Sequence, residues 1–189
     1  MNPAPLLTKS ELRRSLLQTR QALSAQEWRE KSDRLVSHLQ ILPLFTQARS
    51  ILAYFSFRQE PDLSSLFTNG KQWGFPRIIG KSLSWHQWQP GELLQTGAYR
   101  IPQPPPDAPI LNPSEVDLIL VPAVAGDAFG YRLGYGGGYY DRMLSSFRVR
   151  SAIAIVFDFG YFDQLPIDDW DRPLDGVCTE NGYYGKKIS

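Results

Sequence analysis

The sequence predicts an α/β fold, a three-layer sandwich with a largely parallel central sheet and a pair of helices at its N-terminus. Three observations carry that expectation. Two helix-start signatures follow one another near the N-terminus, short apolar runs recur at residues 51–55, 116–121 and 152–156, and helical patterns separate those runs. At 189 residues the chain has the length for one well-formed core, so residues 1–189 are expected to make a single domain.

Both helix starts have a physical basis. Thr8-Lys9-Ser10-Glu11 and Ser24-Ala25-Gln26-Glu27 each place a hydroxyl three residues before a glutamate, the capping-box arrangement that satisfies orphan backbone donors reciprocally. Behind them Leu12, Leu16 and Leu23 share one helical stripe, and Trp28, Leu35, Val36 and Leu39 share another that ends near Pro43. The run at 51–55 reads as a buried strand, and residues 61–67 after it as a helical segment. Residues 73–79 and 82–88 suggest a pair of strands. Pro76 confines one of them to an edge or an end, because proline cannot donate to a ladder. Trp85 and Trp88 in the second strand suit packing or a pocket wall. Six prolines from Pro102 to Pro113 predict an extended connection. Residues 116–121 then read as a central strand, the stretch to Gly138 as a loop, residues 139–147 as a helix and residues 152–156 as a further buried strand. Strand, loop, helix and strand in that order is the pattern of a right-handed β-α-β unit.

Composition narrows the function. Hydrophobic residues make up 42% and charged residues 21%, as in soluble globular proteins. A net charge of +1 argues against a protein whose main business is coating nucleic acid or an anionic membrane, so any anion site must be local. Cys178 is the only cysteine, which removes an intrachain disulfide and makes a reduced, cytoplasmic setting the default. The short apolar stretch from Met1 to Leu7 has no basic region before it, and no window approaches the length of a membrane span; no export signal and no anchor are expected. A monomer without nucleic-acid or membrane partners is the expectation.

Chemistry concentrates between Gly130 and Arg142. Gly134, Gly136, Gly137 and Gly138 lie between an apolar strand and a helix, where backbone amides can approach an anion closely and the helix start carries partial positive charge. Arg132 adds a planar donor suited to phosphate oxygens. A phosphate cradle is the functional reading, and a tight turn built from the same glycines is the alternative. The spacing fits neither the Walker pattern nor the dinucleotide fingerprint. Position after a central strand favours binding, since ligands of open α/β sheets settle beyond the carboxyl ends of the strands. A single-strand nucleic-acid platform with stacking tyrosines is a third reading, against which the low net charge speaks.

The segment from Arg132 to Arg142 resembles the signature of the 5-formyltetrahydrofolate cyclo-ligase family, also called methenyltetrahydrofolate synthetases. Further matches follow in the family's order: Lys9-Ser10-Glu11-Leu12-Arg13, Glu60-Pro61-Asp62, Phe75-Pro76-Arg77, the strand from Val116 to Pro122, and residues 171–180. Together they span almost the whole chain. The resemblance implies conversion of 5-formyltetrahydrofolate to 5,10-methenyltetrahydrofolate through a phosphorylated formyl oxygen, with ATP consumed and Mg2+ required. It also implies a fold related to sugar-phosphate isomerases and CoA-transferases.

Residue roles follow from the same resemblance. Lys9 and Arg13 are assigned to the ATP phosphates; with Arg20 they share a helical stripe, which by itself also fits a solvated basic face. Arg132 and the amides of Gly134, Tyr135, Gly136, Gly137 and Gly138 correspond to the nucleotide loop, with Arg132 and Tyr139 nearest the chemistry. Tyr139 and Tyr140 can close over nucleotide or pterin, or pack their helix. Asp141 and Asp171 match magnesium ligands. A carboxylate in a first helical turn also suits the dipole, and Asp168, Asp169 and Asp175 compete with Asp171. Glu60 corresponds to a glutamate that accepts from the N–H groups of the pterin, and Phe55, Trp85 and Tyr139 are candidate aromatic walls for it. Two positions depart from the family pattern: Gly126 stands where phenylalanine is frequent, and Trp170 where histidine is frequent. His38 and His86 match no motif and suit solvated or packing roles.

Overall fold

The computed structural model describes residues 7–68 and 70–187. Residues 1–6 of the N-terminal apolar stretch lie outside them. Helices α1 (Lys9–Gln21), α2 (Ala25–Ile41) and α3 (Pro43–Thr46) lead the chain, and α4 (Tyr139–Ser146) follows the glycine loop. The strands are β1 (Ser50–Leu52), β2 (Gln72–Ile79), β3 (Ser82–Gln87), β4 (Gln95–Thr96), β5 (Pro102–Gln103), β6 (Leu118–Pro122), β7 (Ala125–Asp127), β8 (Arg132–Leu133), β9 (Ala152–Ile155), β10 (Tyr161–Phe162), β11 (Gly176–Thr179) and β12 (Gly182–Gly185). No helix among the described residues is long and apolar enough to cross a membrane.

The main sheet runs β12-β11-β9-β6-β1-β2-β3. Its five inner strands are parallel, and β12 and β3 close the two edges antiparallel. The inner strands are apolar on both sides because both faces are covered. Leu118, Leu120, Ile153, Ile155 and Cys178 point to one face, where Leu35, Val36 and Leu39 of α2 pack. Ile119, Val121, Ala152, Ala154 and Val177 point to the other, against Met143 of α4. Alternation along each strand thus builds the expected three layers. Cys178 lies within the first of these cores, and burial pushes its thiol up to about 12, which keeps it inert.

Both predicted capping boxes form. Thr8 Oγ1 accepts from the Glu11 N–H at 3.3 Å while Glu11 Oε2 accepts from the Thr8 N–H at 3.0 Å, and Ser24 and Glu27 repeat the pattern. The two helices nevertheless serve different cores. Leu12 and Leu16 of α1 pack with Val124, Ala125, Leu133 and Phe162, on a small sheet ordered β10-β7-β8, of which β7 and β8 fall in the stretch expected to be loop. Strands of two or three residues have too few side chains to display a period, so that sheet left no pattern to read.

Other elements are shorter than the sequence suggests. β1 stops at Leu52, leaving Tyr54 and Phe55 beyond its carboxyl end. Residues 61–67 make only one 3-10 turn, Ser64–Leu66, because Asp62 Oδ1 takes the Ser64 N–H at 3.0 Å in a local bond that competes with helix. Pro76 falls where expected: the β1 ladder reaches Gly74 and no further, so the missing donor lies where β2 has β3 as its paired neighbour. His86 is a packing residue, its Nδ1 2.9 Å from the Ala108 carbonyl and its Nε2 2.9 Å from Ser84 Oγ.

Candidate active site

A cleft of about 590 Å³ opens beyond the carboxyl ends of β1 and β6, where Tyr54, Phe55 and Pro122 line it. The capped start of α1 delivers Lys9 and Arg13 to it. Lys9 Nζ donates to Asp168 Oδ2 at 2.6 Å and to Asp171 Oδ2. Partial burial pulls its pKa down, but the two carboxylates outweigh that and the ammonium is held above its ordinary value. Arg13 Nε donates to the Gly134 carbonyl at 2.7 Å. Arg132, on β8, pairs through Nη2 with Asp141 Oδ1; its side chain is 4% exposed and that of Asp141 42%.

The glycine loop lines the same cleft. Gly136 and Gly138 have φ of 92° and 67°, conformations that disfavour any side chain, whereas a Cβ on Gly134 would meet nothing. Gly138 is also the N-cap of α4 and supplies no side-chain cap, so the first-turn N–H groups of that helix are left without one. Tyr139 carries the Arg142 guanidinium over its ring at 5.2 Å. Tyr140 turns inward, and its ring stands edge-on to Trp85 at 6.1 Å.

Trp85 itself is not a wall of the cleft. It is 1% exposed, sits in the core beneath α4, and touches Tyr140, which does line the cleft. Its place on the sheet face that α4 covers decides this. Phe55 does line the cleft and stacks on Phe75 at 4.1 Å, with edge contacts to Phe67 and Trp88. It is a rigid, core-backed aromatic. Sequence reasoning missed Tyr99 and Trp170, which line the cleft at 65% and 66% exposure. Tyr99 sits between β4 and β5 with φ of 58°, a conformation no composition signal marks. Trp170 showed only as a departure from the family pattern.

Glu60 is 4% exposed and also lines the cleft. Burial raises its pKa, opposed by the Arg20 charge, the Tyr135 hydroxyl and the Phe57 N–H, which donates to Oε2 at 2.9 Å. The same burial, and the charge of Glu60, push the Tyr54, Tyr135 and Tyr140 hydroxyls up, so all three are protonated donors at neutral pH. Arg20 is not with the phosphate-type cations. It is 3% exposed, donates to the Arg58 carbonyl at 3.1 Å and to the Tyr135 hydroxyl, and so belongs to the Glu60 side of the site.

Asp141 and Asp171 face one cleft, each already paired with a cation. No group of three or more His, Cys, Asp or Glu side chains placed to hold a metal occurs among the described residues. That donor set does not make a protein cage. It does fit magnesium carried in on phosphates, which takes only one or two protein carboxylates and keeps its remaining positions for phosphate and water.

Comparison with known proteins places this arrangement. Residues 6–180 match the model of the 5-formyltetrahydrofolate cyclo-ligase family. The 5-formyltetrahydrofolate cyclo-ligase of Mycolicibacterium smegmatis is 32% identical over 183 residues, covering 91% of this chain and 93% of that protein. The Escherichia coli protein of the same name is 28% identical over 172 residues, covering 86% and 94%. The solved 5,10-methenyltetrahydrofolate synthetase of Aquifex aeolicus superposes with a TM-score of 0.87 at 35% identity, over 97% of this chain and 95% of that one. With a fold, a cleft and a family signature that agree from Lys9 to Glu180, the chain belongs to the 5-formyltetrahydrofolate cyclo-ligase family of enzymes.

Proposed function

We propose that the chain converts 5-formyltetrahydrofolate into 5,10-methenyltetrahydrofolate at the expense of ATP, with magnesium, releasing ADP and phosphate. The observation that carries this reading is one cleft holding Lys9, Arg13, Arg132 and an uncapped helix start together with the buried carboxylate of Glu60. The first group suits a triphosphate, and the second suits the N–H edge of a pterin.

The formyl oxygen on N5 is a poor leaving group, which is why ATP is needed. That oxygen attacks the γ-phosphorus, forming the new O–P bond as the bond to ADP breaks. N10 then attacks the activated carbon, the C–O bond breaks, phosphate departs with the electron pair, and N10 gives up its proton. Such a sequence demands positioning and charge neutralisation more than a protein nucleophile. Lys9, Arg13, Arg132 and the amides from Gly134 to Gly138 hold the triphosphate, and Tyr139 covers it. Glu60 orients the pterin, with Phe55 and Tyr139 as its aromatic walls. Bound magnesium would neutralise charge on the phosphate oxygens, and Asp141 and Asp171 are the residues that would hold it. We infer in addition one domain acting as a cytoplasmic monomer, with a fold like that of sugar-phosphate isomerases and CoA-transferases; a cleft at the carboxyl ends of the strands is where open α/β sheets take ligands.

Near-ultraviolet absorbance of the purified protein with 5-formyltetrahydrofolate, magnesium and ATP tests the reading, because the methenyl product has the longer chromophore. A band that grows in the complete mixture, and not when any component is omitted, is expected. A flat trace from folded protein that still binds ATP would overturn it.

A further inference from the structure

We propose that Arg20 is a positioning residue for folate recognition, acting through the Tyr135 hydroxyl and the Arg58 carbonyl to fix the Glu60 carboxylate without touching substrate. This rests on the reading of Glu60 as the pterin acceptor.

Arg20 lies in the last turn of α1 and is 3% exposed, a full charge buried beside Tyr135, which lines the cleft. A guanidinium can only donate. When Nη2 donates to the Tyr135 oxygen, that hydroxyl must turn its own proton elsewhere, and Glu60 is the carboxylate whose charge acts on Tyr135. The guanidinium also lies over the Tyr135 ring, 5.3 Å from its centre, which holds the ring in place. Arg20 thus fixes both the hydroxyl and the ring of Tyr135, a neighbour whose charge environment is set by Glu60.

A second handle acts on the same carboxylate through the backbone. Arg58 and Gln59 hold φ of 48° and 56°, two successive left-handed residues without a glycine between Phe57 and Glu60. Arg20 Nε donates to the Arg58 carbonyl at 3.1 Å, and Gln59 Nε2 to the Leu23 carbonyl at 3.0 Å. The turn they pin lets the Phe57 N–H reach Glu60 Oε2 at 2.9 Å. Around Glu60 the other facing groups are Tyr54, Tyr135 and Tyr140, all neutral. Arg20 is therefore the positive charge that favours the carboxylate against its burial.

The test is steady-state kinetics of Arg20→Met, Arg20→Lys, Tyr135→Phe and Glu60→Gln, with KM measured separately for 5-formyltetrahydrofolate and ATP. Arg20→Met should raise the folate KM about tenfold or more and leave the ATP KM within about twofold. Its acid limb of folate kcat/KM should move to higher pH, because Glu60 loses the charge that favours its ionised form. Tyr135→Phe should reproduce the KM effect, and the double variant should be no worse than the worse single, as expected for one coupled pair. A folded Arg20→Met enzyme with an unchanged folate KM, or with both KM values raised alike, overturns the proposal. Should Arg20→Met not fold, Arg20→Lys keeps the charge but loses the planar fork; an unchanged folate KM in both it and Tyr135→Phe is then the overturning result. Glu60→Gln separates the two readings: an unchanged folate KM there defeats the pterin assignment itself, whereas a raised one beside a normal Arg20→Met defeats only the positioning role.

Discussion

Lys9 and Asp171, 162 residues apart in the chain, are joined by an ion pair within the cleft. Their side chains are 23% and 12% exposed, so the pair is substantially withdrawn from water. The family resemblance gives the first to phosphate and the second to magnesium. The two side chains satisfy each other, as Arg132 and Asp141 do. On the proposed function, binding of magnesium and ATP would be an exchange of partners, in which each of these charges leaves one opposite charge for another.

Lys9→Met tests the phosphate half of that exchange. The variant is expected to raise the ATP KM about tenfold or more, with the folate KM little changed. An unaltered ATP KM would leave Lys9 as a tie between α1 and the loop bearing Asp168 and Asp171.

Arg132 and Asp141 should separate in the same way. Arg132→Ala is expected to lower kcat/KM for ATP about a hundredfold with the circular dichroism spectrum unchanged. Asp141→Asn should instead raise the magnesium concentration needed for half-maximal rate. A magnesium titration that does not move would return Asp141 to a helix-dipole role.

Gly138 links stability to the same site. Alanine there must hold the left-handed conformation, at a cost of about 1–2 kcal/mol, and its Cβ would approach Arg142 Nη1 to 2.6 Å. Gly138→Ala should therefore lower the melting temperature and raise the ATP KM together. Gly134→Ala, which meets no atom within 4 Å, should leave the melting temperature close to that of the parent.

What the sequence made legible follows the lengths over which its patterns repeat. α2, β6, β9 and the loop into α4 each carry a full capping signature, an apolar run or a glycine cluster, and each forms at its expected place. The sheet of β7, β8 and β10 does not, since its strands of two or three residues have no period to show. Within the site, Lys9, Arg13, Glu60 and Arg132 were legible because they fall in matched motifs. The role of Arg20 was not legible because a helical stripe records direction but not depth: its α1 position points the same way as Lys9 and Arg13, and only its bond to Tyr135 shows that it lies on the Glu60 side. Trp85 was misplaced for a related reason, since an aromatic on an alternating strand fits either face until the covering helix is known.

Glu60 gives the sharpest pH-dependent expectation. Its folded pKa is raised above the ordinary 4.5, with burial the largest cause. Below 4.5 the carboxyl is neutral in folded and unfolded chains alike, and the stability associated with the raised value is fully present. As pH climbs through the folded pKa, the unfolded carboxyl has already ionised in water while the folded one ionises against its burial, so stability is lost. Glutamine has no charge to bury. Glu60→Gln should therefore melt above the parent at pH 7, with the gap closing as pH falls toward 4.5, and each 1 kcal/mol should appear as about 2–4 °C for a chain of this size. Melting curves of both proteins at the two pH values check it. A variant that melts lower at pH 7 would mean that the Arg20 charge and the bond from the Phe57 N–H outweigh burial, making the carboxylate a net stabiliser. The expected result would instead make Glu60 an acid that weakens the fold, kept where its charge meets the pterin.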